Sequence, residues 1–425
     1  MEYDWSKRFS LLAQRTRPPE ISWLMAQALE VPGLISLAAG FVDQESLPHE
    51  EVSRILEPLL REKSAGQAAL QYGTTQGDLE LRQLLVQRLR AEGVFHPAAK
   101  IDESHMLIGS GSQQVLYLAA EALLDEGDII LLEAPTYFVV LGILQSRNLR
   151  TFGIDTDADG IVVEKVEECL AALEKRGEIS RVKMLYLMSY ATNPLGITLA
   201  PERRKRLLAL LQSYREKGYP ILLLEDAAYR RLGFADPIPH PIKSLEADND
   251  LVLYTESFSK TLSPGFRLGF GVGPKSLIDK MVDLKGNHDF GSSNLNQQLL
   301  KTILSSGTFD AHGQTLRRVY ARKCEMVLGR MAETFPPQAH WLRPTGSFYT
   351  WVTLPEAWDT GPRSEIFKRA LAQKVLYVPG CLCYSPDRPE AEHASSMRLC
   401  FGMIGEQQLL EGYARIARAL REVMG

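Results

Sequence analysis

One lysine stands in a chemically unusual setting within the segment SFSKTLSPGFRLGF, residues 257–270. Lys260 follows the apolar run LVLYT and lies beside Ser257 and Ser259, and Arg267 comes after a Pro-Gly turn. A cationic amine is costly to bury at a strand end, and a lysine whose pKa falls on burial becomes a nucleophile that forms Schiff bases. Serine hydroxyls and a guanidinium are suitable donors to a phosphate group. The segment therefore predicts a reactive amine beside an anion-binding site.

A carboxylate at the end of the preceding apolar run adds a third chemical group. Glu225 and Asp226 follow YPILLL, and the strand phase favours Asp226 as the acid that faces the site. A lysine, a carboxylate and phosphate donors are together what the cofactor pyridoxal 5'-phosphate (PLP) requires of a protein. The sequence predicts PLP and no metal, because the eight histidines are scattered and Cys381 and Cys383 lack further ligands at metal-binding spacing.

Polar side chains also follow the other apolar runs. The loop GSGSQQ (109–114) could hold a phosphate through backbone N–H groups at a helix start, and it half-resembles a dinucleotide fingerprint in which Gln114 replaces the third glycine. APTY, with Tyr137, and SYATNPLG, with Asn193, follow two further runs. Each motif alone is as readily a plain turn or a core residue. Because ligands bind beyond the carboxyl ends of parallel strands, we expect all of them at one rim.

The elements that must position these residues are short apolar runs alternating with amphipathic stretches. The runs are HMLIG (105–109), DIILLE (128–133), RTFGI (150–154), VKMLYLM (182–188), YPILLLED (219–226), DLVLYTES (250–257) and LGFGVG (268–273). This alternation predicts an α/β fold with a mostly parallel seven-stranded sheet flanked by helices. LGFGVG follows SFSK too closely for a crossover, so we expect it to run antiparallel.

Three parts are expected along the chain. Residues 51–308 form the large cofactor-binding domain, and 309–425 form a smaller α+β domain that begins with a long helix at 309–335 and ends with a helix at 405–422. The segment 1–50, with a helix candidate at 21–30, does not begin a βαβ unit and is expected to dock on the smaller domain or at a dimer interface.

The composition excludes several classes of protein. Hydrophobic residues make up 45% and charged residues 24% of the 425-residue chain, as in ordinary globular proteins. A net charge of −4 argues against nucleic acid or an anionic membrane as partner. Five cysteines without a CxxC pair indicate reduced thiols, and there is neither an apolar signal segment nor a run of ~18 apolar residues. We expect a cytoplasmic protein.

With these motifs the sequence resembles the fold-type I PLP-dependent aminotransferases of classes I and II. It is most similar to the group of 2-aminoadipate and kynurenine aminotransferases and to the aminotransferase-like half of certain transcription regulators. The resemblance runs from LAAG near residue 37 to RLCFG near residue 402 and rests on SxSKxxxPGxRxG combined with NPxG…DxAY. It implies a homodimer that moves an amino group from an L-amino acid to a 2-oxo acid by a ping-pong mechanism.

The resemblance also implies a role for each cofactor-binding residue. Lys260 would bind the cofactor aldehyde covalently and later act as general base, and Asp226 would pair with the pyridine nitrogen. Asn193 and Tyr229 would hydrogen-bond the 3-hydroxyl oxygen. The ring would lie between Tyr137 and Ala228. The implied phosphate ligands are Ser112, Gln113, Ser257, Ser259, Arg267 and, from the neighbouring subunit, Tyr72.

Four residues are implied to contact the substrate. Arg398 would bind the α-carboxylate, a bidentate task suited to a guanidinium, although without the family it reads equally well as a surface arginine. Asn193 also borders the substrate, Gly40 would lie near it through its backbone, and Phe348 would form a side-chain wall. A second arginine for a dicarboxylate cannot be chosen among Arg17, Arg343 and Arg363.

Other functions stay open at this point. The same cofactor site would serve another PLP reaction at Cα or Cβ, such as a lyase or a cyclopropane-forming synthase. A non-catalytic effector domain of a transcription regulator is disfavoured, because only about 35 residues precede LAAG. The hypothesis of a nicotinamide dehydrogenase depends only on the defective GSGSQQ fingerprint and on Glu133 downstream of it. This hypothesis leaves Lys260 and Arg267 unexplained. The amino donor is open among aromatic, branched-chain and 2-aminoadipate side chains.

Overall fold

A computed structural model describes residues 3–18, 22–24, 26, 30–389 and 393–425. Of the helix expected at 21–30, residues 22–24, 26 and 30 are helical, and the others lie outside the described residues. No helix of the described ranges is long and apolar enough to cross a bilayer.

The centre of the protein is an eight-stranded sheet. Its strands, in spatial order, are β2 (Met106–Gly109), β9 (Gly269–Val272), β8 (Val252–Ser257), β7 (Leu222–Asp226), β6 (Val182–Met188), β3 (Ile129–Ala134), β4 (Arg150–Asp157) and β5 (Gly160–Ile161). Strands β8, β7, β6, β3 and β4 pair in parallel, and β9 runs antiparallel to both β2 and β8, as expected. All seven predicted runs are strands, and the short β5 adds an antiparallel edge.

Helices cover both faces of this sheet, which explains why most of its strands are largely apolar. Alternate residues of β6 belong to different cores: Leu185 and Leu187 pack in one cluster, and Tyr186 and Met188 in the other. In the described ranges, apart from the helical residues between 22 and 30, the α-helices are α1 (Leu11–Arg15), α2 (His49–Arg61), α3 (Lys63–Leu70), α4 (Leu79–Ala91), α5 (Ser112–Leu123), α6 (Phe138–Ser146), α7 (Val163–Lys175), α8 (Pro201–Glu216), α9 (Phe258–Thr261), α10 (Lys275–His288), α11 (Asn294–Ser305), α12 (Thr308–Thr334), α13 (Glu365–Ala372) and α14 (Glu406–Met424). The predicted long helix and the predicted terminal helix are α12 and α14.

A second, antiparallel sheet lies in the C-terminal part. Its strands, in spatial order, are β10 (His340–Trp341), β11 (Tyr349–Thr353), β14 (Ser396–Cys400) and β13 (Val378–Pro379). The N-terminal segment reaches this part of the chain, because β1 (Ile35–Ser36) pairs in parallel with β12 (Val375–Leu376). The two sheets and their helices confirm the predicted fold class.

Candidate active site

The carboxyl ends of β2, β3, β6, β7 and β8 surround one pocket of about 500 Å³ that opens to solvent. The residues that line it are Gly111, Ser112, Gln113, Tyr137, Met188, Asp226, Ala228, Tyr229, Ser257, Ser259, Lys260 and Arg267. The structure thus brings together the residues that the sequence placed around the cofactor, except Asn193, which lies nearby, and Tyr72, which does not.

Lys260 lies in α9, a single helical turn that follows β8 directly. The hydroxyl of Ser257 accepts the Ser259 N–H and begins this turn, which directs the lysine into the pocket. Lys260 Nζ donates to the carbonyl oxygen of Gly40 at 2.8 Å. Burial lowers the pKa of Lys260 to about 8; Cys400 opposes this shift, and the nearby arginines add to it. At pH 8 much of the amine is therefore uncharged and nucleophilic.

Asp226 is the last residue of β7 and is 2% exposed. Its carboxylate accepts the N–H of Ala228 at 3.0 Å and the hydroxyl of Tyr186 at 3.3 Å. Burial raises the pKa of Asp226 to about 6, against both hydrogen bonds. A cation placed beside this acid would stabilise its ionised form. Glu225 points to the opposite face, where it accepts the N–H groups of residues 242 and 243. The strand phase therefore predicted which of the two acids faces the pocket.

Anion donors occupy the other end of the pocket. Helix α5 begins at Ser112, so its first N–H groups lack helical partners and face the pocket. Arg267 Nη1 lies 3.4 Å from Ser259 Oγ, and Nη2 donates to the carbonyl oxygen of Ser110 at 3.2 Å. Arg267 has left-handed backbone geometry (φ 49°), which is uncommon for a residue with a long side chain and often marks a functional constraint. This arrangement suits a phosphate.

Arg398 is buried beside the pocket on β14, with 1% of its surface exposed. Its Nη1 donates to Asn193 Oδ1 at 2.7 Å, and its Nη2 donates to the carbonyl oxygen of Ala38 at 2.6 Å. The guanidinium also packs on the rings of Tyr349 and Phe138. Within the described part of the chain, the buried Arg398 Nε has no hydrogen-bond partner. A buried donor without a partner fits a site that awaits an acceptor such as a carboxylate.

Tyr349 is a site residue that the sequence reasoning missed. Its hydroxyl lies 2.9 Å from the hydroxyl of Tyr229, and a Cβ atom added at Gly40 would lie 2.6 Å from it. Phe348, which was predicted, is fully buried, and its ring lies 5.9 Å from Lys260 Nζ and edge-on to Tyr229. Tyr349 directly follows Phe348 in GSFYTWV, but nothing in that stretch indicates its contact with Tyr229.

Glu133 is a second buried acid with no predicted role in the favoured hypothesis. It lies at 3% exposure on β3 and accepts the N–H of Met188 at 2.8 Å. Burial raises the pKa of Glu133 to about 8; the Met188 N–H opposes this rise, and the charge of Asp226 adds to it. At neutral pH this carboxyl is therefore largely protonated.

Tyr72 lies on the surface, away from the pocket, and is 83% exposed. Its ring contacts that of Phe290, which is also exposed. The three unranked arginines are exposed as well, and Arg343 forms a surface ion pair with Glu325. None of the three lines the pocket.

The fold and the pocket define an α/β protein with a reactive lysine, a buried carboxylate and an anion-binding loop. The profile of the family described as Aminotransferase class I and II matches residues 32–416. The chain belongs to this family, as the sequence resemblance implied, and it is an aminotransferase that catalyses PLP-dependent transamination.

Individual relatives support the same conclusion. The chain is 33% identical over 421 residues to Aromatic-amino-acid aminotransferase 1 of Thermococcus litoralis, covering 99% of this chain and 96% of that protein. A kynurenine aminotransferase of Pyrococcus horikoshii, solved with PMP, superposes with a TM-score of 0.89 at 31% identity. An α-aminoadipate aminotransferase of Thermus thermophilus, solved with N-(5'-phosphopyridoxyl)-L-leucine, gives 0.85 at 31% identity. Both structural matches cover 99% of each chain.

Proposed function

We propose that the pocket binds PLP covalently through Lys260 and transfers amino groups between L-amino acids and 2-oxo acids by a ping-pong mechanism. The observation that carries this proposal is the joint position of three groups around one pocket: the Lys260 amine, the Asp226 carboxylate and the donors around Arg267. The lowered pKa of Lys260 suits an amine that reacts with an aldehyde. The raised pKa of Asp226 suits a carboxyl group that pairs with a protonated ring nitrogen.

The cofactor, when bound, supplies an electron-accepting ring that makes the Cα–H bond of an attached amino acid acidic. The protein supplies the remaining steps. Asp226 would hold a proton on the ring nitrogen, and Tyr229 would hydrogen-bond the ring's 3-oxygen. Arg398 holds the substrate carboxylate through its unpaired Nε and orients the Cα–H bond. The Lys260 amine, when it is not bound to the cofactor, would take that proton as a general base, a contribution of typically ~10²–10⁴-fold.

We assign the remaining predicted contacts as follows. Tyr137 and Ala228 cover the two ring faces, and both line the pocket. Asn193 supports Arg398 at 2.7 Å and borders both the cofactor and the substrate. Gly40 and Phe348 form the substrate side of the pocket. The phosphate ligands are Ser112, Gln113, Ser257, Ser259 and Arg267.

The principal test is covalent labelling. Borohydride reduction of the purified protein is expected to fix the cofactor on the peptide containing Lys260 and to abolish its visible band. Lys260→Ala removes the adduct, whereas Lys275→Ala, a surface lysine paired with Asp279, is the matched control and keeps it. A reducible lysine adduct that persists in Lys260→Ala would refute the assignment.

A donor panel then separates transamination from another PLP reaction. Aromatic, branched-chain and 2-aminoadipate donors are tested with 2-oxoglutarate and with pyruvate. The expected result is a 2-oxo acid product together with an equal amount of aminated acceptor. Release of ammonia or of a β-leaving group without an aminated acceptor would indicate a lyase instead.

We also propose a homodimer in which Tyr72 reaches the phosphate of the partner's pocket. In support, Tyr72 and Phe290 form an exposed aromatic pair, and Trp5, Phe9 and Leu11 are exposed on the N-terminal segment. Large exposed apolar side chains in clusters mark protein interfaces.

Mixing two inactive variants tests the shared site. A hybrid of Lys260→Ala and Tyr72→Ala subunits carries both defects in one pocket and neither in the other, so mixing is expected to restore activity. Independent pockets predict no recovery, and sedimentation as a monomer would exclude the dimer directly.

We further propose the division into 1–50, 51–308 and 309–425. The start of α12 at Thr308 and the pairing of β1 with β12 support it. The cytoplasmic location stays a prediction, supported by five free cysteines. An absence of nucleic-acid and membrane partners is likewise still a prediction.

A further inference from the structure

The phosphate-binding loop is fixed from outside the pocket by Gln114. Its Oε1 accepts the backbone N–H of Ser110 at 2.8 Å, and its Nε2 donates to Asp289 Oδ2 at 2.8 Å. An ionised aspartate is only an acceptor, so the amide group must face Asp289 with its nitrogen and Ser110 with its oxygen. The orientation of Gln114 is therefore set by its neighbour.

Asp289 is in turn held by Lys285 of α10. Lys285 Nζ donates to Asp289 Oδ1 at 2.6 Å, and the lysine side chain is fully buried. The three side chains form a continuous hydrogen-bonded chain from a buried cation to the Ser110 peptide. Within the described residues, none of the three lines the pocket.

Ser110 is held from the pocket side as well, because its carbonyl oxygen accepts Arg267 Nη2 at 3.2 Å. The next residue, Gly111, has φ +78°, and a Cβ atom added there would lie 3.5 Å from Arg267 Nη2. The loop also packs tightly on β9, since a Cβ atom at Gly269 would lie 2.6 Å from the backbone nitrogen of Ser112. Small shifts of Ser110 would thus move the donors of Gly111 and Ser112.

We propose that Gln114, Asp289 and Lys285 are positioning residues that set the affinity of the pocket for the phosphate group of its cofactor. This inference rests on the proposed function. It also explains why a glutamine stands at the position where the dinucleotide fingerprint has its third glycine: the side chain orders the loop.

The test compares two ligands, PLP and pyridoxal, which differ only in the phosphate. Equilibrium titration of the cofactor-free protein gives the affinity for PLP divided by the affinity for pyridoxal. Gln114→Glu removes the hydrogen bond to Asp289 and places two carboxylates in contact. The affinity ratio is expected to fall roughly tenfold, because a hydrogen bond to a charged group contributes about that factor. The affinity for pyridoxal itself should stay within about twofold, because the loop does not contact the ring.

A second substitution should rescue the first. In the double variant Gln114→Glu/Asp289→Asn, the amide and the carboxylate exchange places. The amide now at position 289 donates to the carboxylate at position 114 and accepts from Lys285, and that carboxylate accepts the N–H of Ser110. The affinity ratio should return to within about threefold of the original. Asp283→Asn, which breaks an exposed ion pair on the same helix, is the control and should leave the ratio unchanged.

Three results would overturn the inference. The ratio stays unchanged in Gln114→Glu, or the exchanged pair is no better than Gln114→Glu alone, or both ligands lose affinity equally, which is the signature of general destabilisation. A starting protein that binds PLP no better than pyridoxal would instead refute the proposed cofactor site itself.

Discussion

The most direct test of substrate binding is Arg398→Lys. The arginine makes two short hydrogen bonds, to Asn193 Oδ1 and to the carbonyl oxygen of Ala38, and keeps Nε available. A lysine ammonium is a compact point charge without the planar fork of a guanidinium. It cannot keep both of these hydrogen bonds and also donate to a carboxylate. A hydrogen bond to a charged group is worth about 1.5–3 kcal/mol. Losing one therefore lowers kcat/KM for amino acids by about 10- to 150-fold.

The assay compares an amino acid with the primary amine that lacks its carboxylate. Arg398→Lys should reduce kcat/KM for the amino acid by the full factor and change that for the amine by less than about threefold. Arg343→Lys, an exposed arginine paired with Glu325, is the matched control and should affect neither. Equal losses with both substrates would show that Arg398 supports the fold of the pocket rather than the carboxylate, and the reasoning would fail.

Three further outcomes follow from the buried groups of the site. The folded-state pKa of Glu133 is raised from 4.5 to about 8, so the protein loses stability as the pH rises between these values. Glu133→Gln removes this loss, so its effect on the free energy of unfolding should be more favourable at pH 8.5 than at pH 5 by up to about 4 kcal/mol. Urea unfolding at both pH values measures this, and an equal gain at both would contradict it. Gly40→Ala should lower kcat, because its Cβ meets the hydroxyl of Tyr349, and adding Tyr349→Phe should restore part of the loss in steady-state assays; no recovery would place the defect elsewhere. In the cofactor-free protein, the rate at which pyridoxal labels Lys260 should rise with a midpoint near pH 8, and a midpoint near 10.5 would show a solvated amine.

Most strands of the large sheet were predictable because they are buried on both faces and therefore read as apolar runs, whereas β4 is only partly buried. The exception, β5, has only two residues and leaves no such run. The residues after each strand were predictable for a related reason: parallel strands bring their carboxyl ends to one rim, so Tyr137, Asp226 and Lys260 lie around one pocket.

Other parts of the site were not readable from local pattern. Tyr349 meets Tyr229 across 120 residues, and Gln114 meets Asp289 across 175, so neither pair leaves a periodic or spaced signal. Glu133 ends the apolar run DIILLE, where the sequence does not distinguish it from a solvated strand-end acid. Such contacts depend on how the helices and strands pack, which requires the folded chain.

The short peptide 37–40 accepts hydrogen bonds from Arg398 and Lys260, the two residues that we propose act on the substrate. The carbonyl oxygen of Ala38 accepts from Arg398, and that of Gly40 accepts from Lys260. Only one residue separates these two carbonyl groups, so a displacement of this stretch changes both hydrogen bonds together. A substitution that displaces this stretch would therefore change the orientation of the Arg398 guanidinium and of the Lys260 amine at the same time.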